Sequence, residues 1–319
     1  MNYDLVAIGD TVTDAFIKLE NAETDDNKRH LILSFGDKIP YESVEEIPAV
    51  GNSANAAVAA SRLGLKSALA TNLGSDVNGD KCLKRLQDEG VATDFVSIHT
   101  GKESNYHYVL WYLDDRTILV KHQQYERELP DLAKPKWLYL SSLGADALEY
   151  HKEIAEYLKN NPEVNLAFQP GTFQISLGKV ELKNIYERSK ILFCNVEEAE
   201  EIVGIDTLGI QELLKRTQAL GPEITVITDG PKGAHAYDGT SFYTQLPYPD
   251  PKPPYERTGA GDALASTCVA ALALGKDLPT ALKWGAINSM SVVQQIGAQK
   301  GLLSRPQIEE YLKNAPENF

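Results

Sequence analysis

The strongest constraint on the fold is a rhythm. Short, mostly apolar runs, too short to be helices, alternate with helical patterns that stop at glycine. Leu5 to Ile8, Trp137 to Leu140, Val164 to Phe168, Ile191 to Phe193 and Ile224 to Ile227 read as strands buried on both faces. The intervening patterns are Ser53 to Leu63 closed by Gly64, Asn78 to Glu89 closed by Gly90, Ala147 to Lys159, and Ile210 to Leu220 closed by Gly221. Strands alternating with helices predict an α/β fold, a mostly parallel Rossmann-like sheet with helices on both faces. The last third is helical: Asp262 to Leu274 closed by Gly275, Leu278 to about Gln295, and a helix that opens with Ser304 and Gln307 in a capping box.

Two stretches break the rhythm. Phe16 to Glu20 and Leu31 to Ser34 read as short strands, and Tyr106 to Tyr112 joins Thr117 to Lys121 through a turn at Leu113 to Arg116, which is hairpin material. The apolar fraction of 43% over 319 residues is enough for one large core, and the whole chain, 1–319, reads as a single domain. With 31 Lys and Arg against 45 Asp and Glu, the net charge of −14 makes nucleic acid a poor partner. Cys82, Cys194 and Cys268 are too few and too scattered for a disulfide framework or a paired-ligand zinc site, and the six histidines show no metal-binding spacing. The residues from Met1 to Gly9 lack the basic start and long apolar stretch of a signal peptide, and the longest apolar run, Ala263 to Leu274, is too short to span a bilayer. The expected compartment is the cytoplasm, with no membrane partner.

The chemistry concentrates at glycine-rich turns. Glu256-Arg257-Thr258-Gly259-Ala260-Gly261-Asp262-Ala263 runs directly into a long apolar helix. Unpaired amides and the positive end of the helix dipole favour an anion there, and glycine lets a phosphate approach the main chain. Asp262 sits where a carboxylate faces that phosphate, although aspartate also caps helices. Gly51-Asn52-Ser53-Ala54-Asn55 opens another helix, with asparagine amides that can both donate to and accept from a polyol. Gly9-Asp10-Thr11-Val12-Thr13-Asp14 places two carboxylates after the first strand, at the end where open α/β sheets bind ligands. The single glycine there disfavours a dinucleotide fingerprint.

Together these segments resemble the ribokinase-like (PfkB-type) carbohydrate and nucleoside kinases, over nearly the whole chain. Glu256 to Asp262 is similar to that family's C-terminal signature, and Val50 to Asn55 to its N-terminal one. Asn195-Val196-Glu197-Glu198, Thr228-Asp229-Gly230-Pro231-Lys232-Gly233 and Gly297-Ala298-Gln299 follow in the order the resemblance requires. The resemblance implies an ATP-dependent kinase with Asp262 as general base and the amides of Gly259, Ala260 and Gly261 holding the transferred phosphoryl group. It implies Mg²⁺ organised by Asn195 and Glu198, through water in the case of Glu198. It further implies a nucleotide pocket shaped by Thr228, Gly230 and Gly233 with Asn288 nearby, and sugar contacts from Asp14, Gly51, Asn52 and Asn55, to which Asp10 is added. A discontinuous β lid from about 12–50 and 101–130 would close over substrate and carry a homodimer contact.

Three positions depart from the family pattern. Val50 replaces the first glycine of a pair and narrows the sugar side. Glu256 and Arg257 replace Asp and Thr, which puts in question the site for an activating monovalent cation such as K⁺ at Glu256. Arg257 reads equally as a phosphate contact or a surface residue. The expected substrate is a small sugar phosphorylated on an alcohol group. The alternatives are a nucleoside, with Tyr106, Tyr108 and Trp111 stacking on a base, a phosphosugar, for which the substrate-side segments offer no evident arginine cluster, and a noncatalytic ligand-binding protein.

Overall fold

The computed structural model describes residues 2–25, 30–113, 115–317 and 319. Its main sheet has nine strands among these residues, in the spatial order Phe242–Gln245, Ala234–Tyr237, Ile224–Thr228, Ser189–Asn195, Asn165–Phe168, Trp137–Leu140, Leu5–Ile8, Ser67–Gly74 and Val96–His99. All pairings are parallel except the two made by the edge hairpin Ala234–Tyr237 and Phe242–Gln245. The period of two sorts side chains to two cores. Leu5, Ala7, Trp137 and Tyr139 face one and Val6, Ile8, Leu138 and Leu140 the other. A strand covered on both faces has no polar side, which is why these runs are apolar throughout.

On one face lie helices Asn52–Arg62, Ala260–Ala273 and Leu278–Val292; helix Leu148–Asn160 and the helices at Val196–Val203 and Ile210–Gln218 cover the other. Ala260–Ala273 is buried nearly all round because it packs against both Asn52–Arg62 and Leu278–Val292. The glycine stops at Gly64, Gly90, Gly221 and Gly275 all take positive φ, and the capping box of Ser304 and Gln307 is present.

Some elements left weak traces in the sequence. Ser67–Gly74 is buried along its whole length yet carries Ser67, Thr71 and Asn72. Two of the three find partners outside the strand: the Ser67 hydroxyl donates to the Ala57 carbonyl, and Asn72 Oδ1 lies 2.8 Å from His99 Nε2, while Thr71 Oγ1 is buried without one. Tyr41–Val50, Val96–His99 and the edge hairpin were hidden by exposed polar residues in the first two and brevity in the last two.

A second sheet of four strands, in the order Tyr41–Val50, Val12–Leu19, Asn105–Tyr112, Asp115–Leu119, stands over the carboxyl ends of the main strands. Its central pair is parallel and its outer pairs antiparallel. The hairpin turn is tighter than expected: Tyr112 pairs with Asp115, so Arg116 belongs to the strand, and Leu113 takes φ 57°. Asp114 of that turn, and 26–29 of the expected lid segment, lie outside the described residues. The short strand expected at Leu31 to Ser34 is Leu31–Ile32, paired with Glu23–Thr24.

Candidate active site

Five main-sheet strands end in polar residues on the same side: Leu5–Ile8 leads to Asp10, Trp137–Leu140 to Ser141, Asn165–Phe168 to Gln169, and the other two end on Asn195 and Thr228. Into this rim the turn before Ala260–Ala273 delivers Asp262. Gly259 has φ 81°, and a Cβ there would stand 2.3 Å from the Ala298 Cβ, so only glycine both adopts the turn and fits beside Gly297-Ala298-Gln299. The helix starts without a side-chain cap, which leaves its first amides for a ligand.

The Asp262 carboxylate is held by two amides. Asn55 Nδ2 donates to Oδ2 at 2.8 Å and Gln169 Nε2 donates to Oδ1 at 3.0 Å. Each amide is itself oriented from behind. Gln299 Nε2 donates to Asn55 Oδ1 at 3.1 Å and to the Ala49 carbonyl at 2.6 Å, and the Tyr139 hydroxyl donates to Gln169 Oε1. Burial raises the pKa of Asp262; the two amide donors pull it back, Asp14 pushes it up and Arg116 draws it down. Sequence reasoning missed Gln169 and Tyr139. The signal was present, since Gln169 is the first polar residue after an apolar strand at the ligand-binding end.

On one side of Asp262 opens a cavity of 820 Å³ whose lining includes Asn195, Thr228, Gly230, Gly233, Ala260 and Gly261. Arg257 also lines it, which puts its charge at the turn rather than on a remote surface. Asn195 and Glu198 form a reciprocal cap: Asn195 Oδ1 accepts from the Glu198 amide at 2.8 Å, and Glu198 Oε2 accepts from the Asn195 amide at 2.9 Å. Burial raises the Glu198 pKa, with Asp262 and its acidic neighbours adding to the shift. Asn288 is a correction. It is fully buried, donating through Nδ2 to Thr267 Oγ1 at 2.6 Å and accepting the Leu303 amide on Oδ1 at 2.8 Å, so it ties helices together while Ser289 and Met290 line the cavity.

On the other side stands the four-stranded sheet. Asp14 pairs in register with His107, whose Nδ1 lies 3.3 Å from Asp14 Oδ1. Gly51 has φ 112° and passes the Asp10 carbonyl closely, since a Cβ would stand 2.7 Å from that oxygen. Asn52 is the first residue of its helix and is half-buried. Asp10, expected to meet substrate, is engaged by the protein: Arg127 donates to Oδ1 at 3.1 Å and to Oδ2 at 3.2 Å, and the Gly144 amide donates to Oδ2 at 2.8 Å. Tyr106 and Tyr108 lie on the face opposite His107, where the Tyr106 hydroxyl donates to Glu46. Trp111 shares the inner face but is buried, donating to the Leu113 carbonyl and packing edge-on to Tyr255. Glu256 is buried. Its Oε1 accepts from the Thr258 amide at 2.7 Å and lies 4.0 Å from Arg116 Nε, and its Oε2 has no hydrogen-bond partner.

The pfkB family carbohydrate kinase profile matches residues 4–305. The chain belongs to that family. PfkB kinases are ATP-dependent phosphotransferases, and the chain is a ribokinase-family sugar or nucleoside kinase. Among curated relatives, the ribokinase of Bacillus subtilis (strain 168) is 28% identical over 279 residues, covering 87% of this chain and 92% of its own. Among solved structures, Arabidopsis thaliana ribokinase complexed with ribose and ATP superposes with a TM-score of 0.82 at 19% identity, covering 98% and 99% of the two chains. The nucleoside kinase of Burkholderia thailandensis in complex with inosine gives 0.79 at 18% identity, covering 99% of each. Both structural likenesses show the PfkB-kinase fold and leave the substrate to the site. No helix among the described residues is long and apolar enough to cross a membrane.

Proposed function

We propose that this PfkB kinase transfers the γ-phosphoryl group of ATP to an alcohol group of a small neutral sugar, with Asp262 as general base. The observation that carries this reading is the Asp262 carboxylate, fixed by two amide donors between the 820 Å³ cavity and Asp14. The substrate O–H loses its proton to Asp262 as its oxygen bonds to the γ-phosphorus, and the bond from phosphorus to the β-phosphate bridging oxygen breaks to release ADP. The amides of Gly259, Ala260 and Gly261 stabilise the charge on the transferred group, that of Ala260 by leaving the Arg257 carbonyl 3.4 Å away, a positioning and electrostatic role. Thr228, Gly230 and Gly233 hold the nucleotide, and Asp14, Gly51, Asn52 and Asn55 hold the sugar.

Glu198 and Asn195 fit a water-mediated Mg²⁺, since Glu198 keeps one carboxylate oxygen outside its cap. The ion would neutralise phosphate charge. The unpartnered, buried Oε2 of Glu256 fits a monovalent cation such as K⁺. Arg127 is committed to Asp10 and does not offer a second-phosphate site, and the outward-facing tyrosines do not offer a base-stacking lid.

The deciding experiment is an ATP-consumption screen over pentoses, hexoses, their acids and phosphates, and nucleosides, repeated without Mg²⁺ and with added KCl at constant ionic strength. Turnover confined to nucleosides or phosphosugars would overturn the substrate reading; loss without Mg²⁺ and saturable activation by K⁺ are expected. In the same assay Asp14→Ala is expected to raise the KM of the accepted sugar about 10- to 100-fold, the value of a lost charged hydrogen bond, while the KM of ATP stays within about twofold. Equal effects on both would move Asp14 away from the sugar.

The outer face of the four-stranded sheet exposes Val44, Tyr108 and Leu119, an apolar patch that fits a second copy of the chain. A dimer by light scattering that dissociates in Tyr108→Glu is the expected result. A monomeric wild type would refute it.

A further inference from the structure

The inner wall of the four-stranded sheet and the segments flanking its strands carry buried polar atoms that find no partner within the protein. Among the described residues, Thr11 Oγ1, Asp14 Oδ1, His107 Nε2, His122 Nδ1 and Arg127 Nε are shielded from solvent and make no hydrogen bond. Such atoms are rare in folded proteins, and several together mark a place where a ligand completes the pairing. Asp14, the sugar-side carboxylate, is itself only 9% exposed.

Their arrangement specifies the missing partner. The His107 and His122 rings lie 5.3 Å apart, and Phe173 packs edge-on against His122 at 5.5 Å. Each imidazole turns Nδ1 toward a carboxylate, His107 to Asp14 Oδ1 at 3.3 Å and His122 to Asp10 Oδ2 at 3.4 Å. With Nδ1 turned to a carboxylate, the other ring nitrogen of His107, Nε2, is the polar atom left for a ligand. The arginines of this wall are already engaged: the Arg127 side chain, 4% exposed, forks onto Asp10 and reaches Asp146 Oδ1 at 3.3 Å, leaving its Nε unpaired, and Arg116 lies 3.0 Å from Asp115 and 4.0 Å from Glu256. What remains is a mixed set of donors and acceptors around the charge of Asp14. A hydroxyl, both donor and acceptor, can donate to Asp14 Oδ1 and pair with His107 Nε2, whereas a carboxylate or phosphate brings like charge to Asp14.

We propose that His107 and His122, together with Asp14, form a hydroxyl-reading wall that selects a neutral polyhydroxylated substrate through two neighbouring hydroxyl groups. This rests on the sugar-kinase reading above and adds specificity residues that none of the glycine-rich motifs contains. The wall discriminates against a deoxy analogue because that analogue leaves a buried polar atom unpaired, and against an anionic analogue because the charge of Asp14 faces it while Arg116 and Arg127 are already paired with carboxylates.

The test compares kcat/KM for D-ribose and D-fructose with 2-deoxy-D-ribose and 1-deoxy-D-fructose, and with D-gluconate and D-ribose 5-phosphate, in wild type, His107→Leu, His107→Gln and His122→Leu. The wild type is expected to favour an accepted parent sugar about 10- to 100-fold over one of its deoxy analogues. At least one leucine variant should bring that ratio close to one by losing turnover of the parent, with the KM of ATP unchanged and a cooperative thermal transition retained. His107→Gln, which keeps an acceptor, should preserve part of the preference. Folded leucine variants that both keep the wild-type ratio, or a wild type that prefers gluconate or the phosphosugar, would overturn the proposal. If adenosine is phosphorylated and no sugar is, the sugar reading alone fails; adenosine against 2′-deoxyadenosine and 3′-deoxyadenosine then runs the same comparison, and unchanged ratios in both leucine variants overturn the histidine wall.

Discussion

Replacing Asp262 with asparagine is expected to lower kcat by at least about 100-fold while leaving ATP affinity and the fold intact, because a placed general base contributes about 10²- to 10⁴-fold. Asparagine keeps the shape and can still meet one of the two amides, so the loss isolates proton transfer. Steady-state turnover with the best substrate of the screen is the measurement, and retention of more than about a tenth of wild-type kcat would remove Asp262 from the base role. The same substitution has an opposite signature in stability. Burial raises the Asp262 pKa in the folded chain. A carboxyl raised in this way contributes stability that is present below its unfolded pKa and is lost as the pH climbs through the folded pKa. Asp262→Asn is therefore expected to melt above the wild type at about pH 8, with the gap closing toward about pH 4, the unfolded carboxyl range. A variant that melts below the wild type at high pH would mean that the two amide bonds outweigh burial.

The largest loss of stability is expected from Arg127→Met. Asp10 is 3% exposed and its carboxylate is forked by Arg127, so removing the guanidinium strands a buried charge at a cost of about 3 to 5 kcal/mol. Urea denaturation of the single variant and of Arg127→Met with Asp10→Asn separates the causes. The double variant should recover most of the loss, since an amide needs no counter-charge and still accepts from the Gly144 amide. If the single variant loses less than about 1 kcal/mol, the pair is not holding Asp10.

The central sheet was legible because burial on both faces forces apolar runs, and because glycine at positive φ marks where a helix stops: Leu5–Ile8 and Trp137–Leu140 stand where those signals predict. Ser67–Gly74 was not legible, since its Ser67 hydroxyl and Asn72 amide find their partners outside the strand, at Ala57 and His99, and no local pattern announces them. The same distinction applies at the site. Asp262 and Asn55 announce themselves through glycine-rich turns and fall within hydrogen-bond reach of each other. Arg127, His107 and His122 carry no local pattern, because their positions follow from strand order and from the register of the second sheet. Asn288 misled for the converse reason: it is one residue away from the cavity-lining Ser289, and one step on a helix turns a side chain by about 100°.

The network behind Asp262 also sets when the protein can begin to work. Its members come from widely separated segments: Asn55 and Asp262 are 207 positions apart, Gln169 and Asp262 are 93 apart, and Asn55 and Gln299 are 244 apart. A nascent chain leaving the ribosome can fold its first strands and helices, yet Asp262, the proposed general base, remains unaligned until the segment around Gln299 has emerged and docked onto Asn55. Partly synthesised or prematurely terminated chains that bind nucleotide would therefore be spared from spending it.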